Sequence, residues 1–285
     1  MTPPPSRPAL RWFGGKWLQA PKIIRHFPPH RIYVEPFGGA ASVLLQKPRS
    51  YAEVYNDLDA EVVNLFRVLR DPATAADLAR VVTLTPFSRV ELEDAYTPST
   101  DPVERARKLI VKSFQGFGAD GATGTYRTGF RANSNRSGST PAIDWSNYPP
   151  ALIEIAVRFM RVVIEQRDAL EVMAAHDGPE TLHYVDPPYV HSTRKRTARG
   201  SGQDGKGVYR HELTDADHAA LLGALLELEG MVVLSGYSCD LYNETLVDWT
   251  RLEYRALADG ARPRLEVLWL NPAATERHGL FGSAA

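Results

Sequence analysis

The sequence has little of what builds cross-links, metal sites or membrane spans. Among its 285 residues there is one cysteine, Cys239, which excludes an internal disulfide bond. The eight histidines are scattered along the chain, so the ligand spacing of a structural zinc site is absent and we expect no metal. The longest apolar runs, such as residues 231–234, fall far short of the roughly 20 residues that cross a bilayer.

Residues 1–8 contain several prolines and no apolar core of the kind that a secretory signal requires. Together with the single cysteine, this composition predicts a soluble protein of the reducing cytoplasm that has no membrane partner. With 44% hydrophobic residues, the chain can bury one substantial core. We therefore expect one main domain with room for an insertion.

The net charge of −1 is unusual for a protein that binds nucleic acid, but the positive charge is concentrated in two stretches. Residues 105–136 hold seven Lys or Arg against one acid, which gives +6, and residues 191–211 hold six against one, which gives +5. The rest of the chain must therefore carry −12 to reach −1. This distribution favours double-stranded DNA as a partner.

Predicted strands alternate with helical patterns in both halves of the chain. Residues 31–34 and 51–55 predict strands, and each is followed by a turn and by apolar residues at helical spacing. The alternation returns after residue 150, with predicted strands at 162–164, 182–185 and 231–235 and later candidates at 252–255 and 265–270. Such an order predicts an α/β fold in which helices cover a parallel sheet.

The alternation is lost between residues 71 and 150. Two helical stretches, around residues 90–96 and 103–114, precede a segment rich in Gly, Ser, Asn and Arg at residues 116–139. We predict that residues 71–150 form an inserted, mostly helical region. The main domain would then consist of residues 1–70 and 151–285.

A candidate nucleotide site follows the first predicted strand. The turn Glu35-Pro36-Phe37-Gly38-Gly39 allows close approach of a ligand to the backbone. Asp57 lies about 20 residues further on, at a position where an acid commonly accepts hydrogen bonds from ribose hydroxyls. Upstream, Trp12 and Lys16 can offer stacking and a cation. Each pattern alone also fits an ordinary turn, and a dinucleotide or a sulfonium cofactor would suit the site equally.

A second candidate site is Asp186-Pro187-Pro188-Tyr189, which directly follows the predicted strand at residues 182–185. Two prolines fix φ and lack an N–H, so the Pro187 carbonyl is held rigidly and can accept a hydrogen bond, as can Asp186. Tyr189 offers a face on which a base can stack. The quartet suits an aromatic or amide amine: adenine N6, cytosine N4 or a glutamine side chain. A strand-ending turn with a packed tyrosine would also explain it.

Four motifs occur in one order: Trp12-Phe13-Gly14-Gly15-Lys16, Val34-Glu35-Pro36-Phe37-Gly38-Gly39, Asn56-Asp57 and Asp186-Pro187-Pro188-Tyr189. In this order they resemble the Dam-like adenine-N6 DNA methyltransferases. The resemblance implies a Rossmann-like methyltransferase sheet with helices on both faces and an inserted target-recognition region. It also implies S-adenosylmethionine as cofactor, contacted by Trp12, Lys16, Asp57, Asp186 and the turn from Glu35 to Gly39, with Asp186 beside the target base. Two positions depart from the family pattern, Ala41 for a glycine and Asp59 for an asparagine.

The amine of a base inside a duplex is out of reach, so such an enzyme must extrude the nucleotide and hold the opened DNA. We expect the basic stretches to do this. The candidate DNA contacts are Lys112, Tyr126, Arg127, Arg131, Asn133 and Arg136 in the first stretch and Arg194, Lys195 and Arg196 in the second. A cognate restriction endonuclease acting on the same site is a possible companion, and no stable protein partner is implied.

The sequence alone leaves three rival functions open. A cytosine-N4 methyltransferase would use the same quartet, whereas a glutamine methyltransferase would leave both basic stretches without a purpose. The rival from another class is a DNA-binding regulator that has kept the scaffold and lost catalysis. The presence of Lys16, Asp57 and Asp186 argues against the regulator.

Overall fold

The computed structural model describes residues 3–118, 122, 127–133, 138–190, 210–258 and 262–281. Seven strands in these ranges form one sheet in the order β3-β2-β1-β4-β5-β7-β6. Their bounds are β1 Ile32–Glu35, β2 Ala52–Asn56, β3 Val162–Glu165, β4 Thr181–Val185, β5 Met231–Gly236, β6 Thr250–Ala258 and β7 Arg262–Leu270. The first five strands in that order pair in parallel, and β7 runs antiparallel to both β5 and β6.

Helices fill most of the connections between these strands. Those in the described ranges are α1 Ala20–Ile24, α2 Ser42–Gln46, α3 Ala60–Arg70, α4 Pro72–Leu84, α5 Arg89–Asp94, α6 Pro102–Gln115, α7 Pro141–Ser146, α8 Pro149–Phe159, α9 Ala169–Ala175, α10 Asp215–Glu227, α11 Asp240–Thr245 and α12 Pro272–Phe281. None of these described helices is long and apolar enough to span a bilayer.

The central strands are buried on both faces. Every residue of β4 and β5 is buried, and their side chains alternate between two hydrophobic clusters. Val233 packs in the cluster that includes α3, α6 and α8, whereas Val232 and Leu234 pack with Leu221 and Leu225 of α10. Helices therefore cover both faces, and the predicted α/β fold is confirmed.

The predicted bounds of β1 to β5 agree with the structure to within one residue at each end. The last two strands are longer than predicted, because β6 and β7 pair with each other over their whole length. Two helices between residues 71 and 150, α4 and α7, were not predicted. Asp71-Pro72 was interpreted only as the end of α3, but Asp71 also caps α4 by accepting hydrogen bonds from the amides of Ala73 and Thr74.

The helices between residues 72 and 146 pack directly on the rest of the molecule. Helix α6 contacts α3, and α4 contacts α8, so these elements share the larger hydrophobic cluster. Helix α8 begins at Pro149, one residue before the expected boundary at residue 150. The division into a main domain and an insertion stays a prediction.

Candidate active site

Three neighbouring parallel strands end at the same edge of the sheet. Glu35 is the last residue of β1, Asp57 follows the end of β2, and Asp186 follows the end of β4. The order β2-β1-β4 places the change of winding direction between β1 and β4. In open α/β sheets ligands bind in the crevice outside the carboxyl ends of strands at such a switch point. The structure therefore brings both candidate sites to the place where ligands bind.

Lys16 and Asp186 form a buried ion pair at this edge. Lys16 Nζ lies 2.9 Å from Asp186 Oδ2, and the two side chains are 4% and 17% exposed. Lys16 Nζ also donates a hydrogen bond to the Gly14 carbonyl, 2.8 Å away, and lies 4.8 Å from the centre of the Tyr189 ring. Asp186 Oδ1 is buried and accepts no hydrogen bond from the described residues. An acceptor of this kind is costly unless a ligand uses it.

The charges around this pair affect both of its members. Burial lowers the pKa of Lys16, but attraction to Asp186 and Glu266 outweighs burial, so the pKa lies well above its ordinary value. Burial raises the pKa of Asp186, and the neighbouring Lys16 only partly offsets this effect. The lysine is therefore held as a cation, and the carboxylate gains from any further hydrogen-bond donor that reaches it.

Two residues from the antiparallel strands complete this cluster and were missed by sequence reasoning. Glu266 of β7 is 6% exposed, and its Oε2 atom accepts hydrogen bonds from Tyr254, at 3.2 Å, and from Tyr189, at 3.4 Å. The Tyr189 hydroxyl also lies 3.3 Å from Ser235 Oγ, and its ring packs edge-on against Tyr237. The available signal for Glu266 was a lone carboxylate in the otherwise apolar stretch at residues 265–270.

The turn after β1 is built for close packing. A Cβ atom on Gly38 would lie 2.1 Å from the Tyr55 ring, so only glycine fits there. Gly39 has a φ of +47° and lies against Trp12, whose Nε1 atom would be 2.8 Å from an added Cβ. Ala41, which replaces a glycine of the family pattern, also has a positive φ, 54°. The glycines thus serve packing as well as any ligand.

Glu35 and Pro36 lie beneath this turn. The Glu35 Oε2 atom accepts hydrogen bonds from the Tyr33 hydroxyl and the Leu44 amide, at 2.7 and 3.0 Å. Burial raises the pKa of Glu35 to about 8, although both hydrogen bonds lower it. Pro36 is buried, whereas Phe37 is partly exposed and packs against the cluster that contains α10. The Glu35 carboxylate therefore holds the start of α2 in addition to any role toward a cofactor.

Asp57 lies beside the turn. Its two oxygen atoms accept hydrogen bonds from the amides of Gly39, at 2.7 Å, and Asp59, at 2.8 Å. Burial raises the pKa of Asp57 to about 6, and the two amide hydrogen bonds oppose that shift. The side chain of Asn56 bridges the Pro36 carbonyl and the backbone of Arg167, which fixes the end of β2.

The structure describes four of the nine candidate DNA contacts, Lys112, Arg127, Arg131 and Asn133. Lys112 Nζ and Arg127 Cζ lie 5.9 and 5.4 Å from the centre of the Tyr96 ring. Arg127 and Asn133 are exposed, but Arg131 lies 3.6 Å from Asp144 with its side chain 13% exposed. The other candidates lie outside the described residues: Tyr126, Arg136, Arg194, Lys195 and Arg196.

Acids from elsewhere in the chain neutralise part of the first basic stretch. Arg105 pairs with Glu61 of α3, and Arg107 pairs with Glu91 of α5 and Glu104 of α6. Lys108 is similarly paired with Asp94 and Glu104. A count of charges along residues 105–136 therefore overstates the positive charge that this region offers to DNA.

The family model of the D12 class N6 adenine-specific DNA methyltransferases matches residues 12–248. This chain belongs to that family. The resemblance that the four motifs indicated is thus confirmed, together with the Rossmann-like methyltransferase sheet that it implied. The matched range begins at Trp12 and contains Lys16, Asp57 and Asp186, whereas Glu266 lies beyond it.

Several relatives of this chain are DNA adenine methylases. The chain is 32% identical to that of Serratia marcescens over 107 residues, which are 35% of this chain and 39% of the relative. It is 26% identical to that of Escherichia coli K12 and 29% identical to that of Salmonella typhi, in each case over 196 residues, 65% of this chain and 66% of the relative. The matches thus span less than two thirds of these relatives' own length.

Proposed function

We propose that this protein transfers a methyl group from S-adenosylmethionine to N6 of an adenine that has been extruded from double-stranded DNA. The observation that carries the proposal is the Lys16–Asp186 pair at the switch point, where the buried Asp186 Oδ1 atom lacks a donor from the described residues. An exocyclic amine would supply that donor. Membership of an adenine-specific methyltransferase family supports adenine as the base.

The residues at the sheet edge fit the chemical groups of the cofactor. An ionised Asp57 suits the ribose hydroxyls, Trp12 suits the adenine ring or the sulfonium charge, and Lys16 suits a carboxylate. The turn from Glu35 to Gly39 brings backbone close to both Trp12 and Asp57. When bound, S-adenosylmethionine supplies an electrophilic methyl group, and the residues of the protein position the amine that receives it.

The catalytic quartet would hold the target amine by hydrogen bonds. Asp186 Oδ1 and the Pro187 carbonyl accept its two hydrogens, which draws the nitrogen lone pair out of conjugation with the ring. Pro188 fixes the backbone, and Tyr189 stacks on the base, a contact worth roughly 1–3 kcal/mol in other sites. Held in this way, the lone pair would be directed at the electrophilic methyl group that the cofactor supplies, and Asp186 would stabilise the positive charge that develops on N6. Positioning and electrostatic stabilisation provide the rate enhancement.

DNA would be held beside this edge by the basic stretches. This part of the proposal rests on the described candidates Lys112, Arg127, Arg131 and Asn133. It also rests, by sequence alone, on Tyr126, Arg136 and Arg194 to Arg196. The proposal also includes recognition of the target by residues 71–150 and action in the cytoplasm. A cognate restriction endonuclease remains a prediction.

Incubation with tritiated S-adenosylmethionine and duplex DNA, followed by chromatography of the hydrolysed nucleosides, tests this function. We expect label in N6-methyladenine. Label in N4-methylcytosine would favour the cytosine-N4 alternative, which the same quartet allows. Binding of DNA without any transfer of label would favour the regulator that has lost catalysis.

A further inference from the structure

Arg210 reaches the cofactor edge of the sheet from a distant part of the chain. It is the first described residue after residues 191–209, which follow the Asp186–Tyr189 quartet in the sequence. Its Nη1 atom lies 2.6 and 2.7 Å from the two carboxylate oxygens of Asp59. The Asp59 and Arg210 side chains are 8% and 24% exposed, so water screens this pair only weakly. The contact joins residues that are 151 positions apart.

Asp59 is in turn connected to Asp57. The Asp59 amide donates a hydrogen bond to Asp57 Oδ1, and Asp59 Oδ1 caps α3 by accepting from the Glu61 amide. Two carboxylates thus lie side by side at the end of β2, and the charge of Asp59 raises the pKa of Asp57. Tyr55 and His211 are the other titratable groups that face Asp57. A cation paired with Asp59 reduces the repulsion between the two carboxylates and so favours the ionised form of Asp57.

We propose that Arg210 is a positioning residue for the cofactor, which neutralises Asp59 so that Asp57 stays ionised and correctly oriented to accept ribose hydroxyls. This inference rests on the proposed function, since it takes Asp57 as a cofactor contact. The guanidinium group of Arg210 contacts a carboxylate in the protein, so its role differs from that of a cation held ready for DNA phosphate.

The test is calorimetric binding of S-adenosylmethionine, without DNA, to the full chain and its variants. Arg210→Gln should weaken binding about fivefold or more, the lower end of typical coupling between linked sites. Asp59→Asn retains a good helix cap and removes the charge, so the double variant Asp59→Asn with Arg210→Gln should recover most of the affinity. Arg210→Lys keeps the charge and should bind nearly as well as the unmodified protein.

The matched control is Arg105→Gln. It removes the 2.8 Å ion pair between Arg105 and Glu61, which lies in the first turn of α3, the helix that Asp59 caps. It should leave cofactor affinity unchanged. Thermal unfolding of each variant shows that it is folded. The inference is overturned if Arg210→Gln binds the cofactor normally, if it weakens only DNA binding, or if the double variant stays as weak as Arg210→Gln. Failure of the unmodified protein to bind S-adenosylmethionine would instead overturn the proposed function itself.

Discussion

Two buried pairs of lysine and carboxylate lie at opposite edges of the parallel part of the sheet, one at the start of β2 and one beyond the end of β4. Lys47 Nζ lies 2.7 Å from Glu53 near the start of β2, and the two side chains are 1% and 3% exposed. Lys16 and Asp186, beyond the end of β4, are 2.9 Å apart and 4% and 17% exposed. Each pair joins a buried lysine to a carboxylate, but the pairs differ in how completely the carboxylate is satisfied.

The Glu53 carboxylate is fully engaged within the protein. Arg158 donates two hydrogen bonds to it, at 2.7 and 2.9 Å, and the Ser50 amide donates a third. Burial raises the pKa of Glu53, but Arg158 and Lys47 outweigh burial, so the pKa lies below its ordinary value. For Asp186 burial prevails and the pKa is raised. A carboxylate that the protein satisfies completely contributes to the fold, whereas one left with an open oxygen atom at a strand end is available to a ligand.

The largest effect on stability is expected for Glu53→Gln. Loss of this charge leaves Lys47 and Arg158 buried without their counter-ion, and breaking such a pair typically costs about 3–5 kcal/mol. Urea unfolding measures the change. Asp77→Asn, which removes a surface pair with Arg80, is the control and should cost less than about 1 kcal/mol. Equal losses in the two variants would show that the Glu53 cluster is not the structural pair inferred here.

Cofactor affinity should depend on pH through Asp57. Because burial raises the pKa of Asp57 to about 6, its carboxylate takes up a proton as the pH falls through that value when no cofactor is bound. A protonated carboxyl group accepts hydrogen bonds from ribose hydroxyls poorly. Affinity should be full above pH 7 and fall about tenfold between pH 7 and pH 5. Calorimetry at each pH measures this. His211→Gln, which replaces the histidine that faces Asp57, should keep the same dependence; if the dependence disappears in that variant, the assignment to Asp57 is wrong.

A smaller effect is expected for Glu266→Gln. The amide oxygen can still accept from Tyr254 and Tyr189, but the charge beside Lys16 is lost. We expect kcat to fall about twofold to tenfold, the equivalent of roughly 0.5–1.5 kcal/mol for an altered hydrogen bond. Glu253→Gln on the exposed side of β6 is the control and should not change kcat. An unchanged kcat in Glu266→Gln would remove Glu266 from the active site.

Strands and strand-end residues could be predicted because each signal is local. An apolar run that stops at Pro, Gly or Asp marks both a buried strand and the residue that follows its end, which is why Asp186 could be assigned to a strand end from the sequence. The partners of these residues come from tertiary structure. Strand β7 enters the sheet between β5 and β6, and only this antiparallel arrangement brings Glu266 to Tyr189.

Charge was the least predictable property for the same reason. Residues 105–136 contain one acid, but the acids that neutralise Arg105 and Arg107 lie on α3, α5 and α6. Asp59 illustrates the reverse case: a departure from the family pattern in sequence is matched in space by Arg210. Sequence windows record charge along the chain, whereas ion pairs depend on how helices pack.

The central claim is that the open carboxylate of Asp186, unlike that of Glu53, serves methyl transfer. It is tested most directly by tritium transfer from S-adenosylmethionine to duplex DNA by Asp186→Ala, with calorimetric cofactor binding measured on the same preparation. We predict that transfer falls by about a hundredfold or more while binding survives at least in part. Near-normal turnover in Asp186→Ala would contradict the assignment of this strand end as the site of transfer.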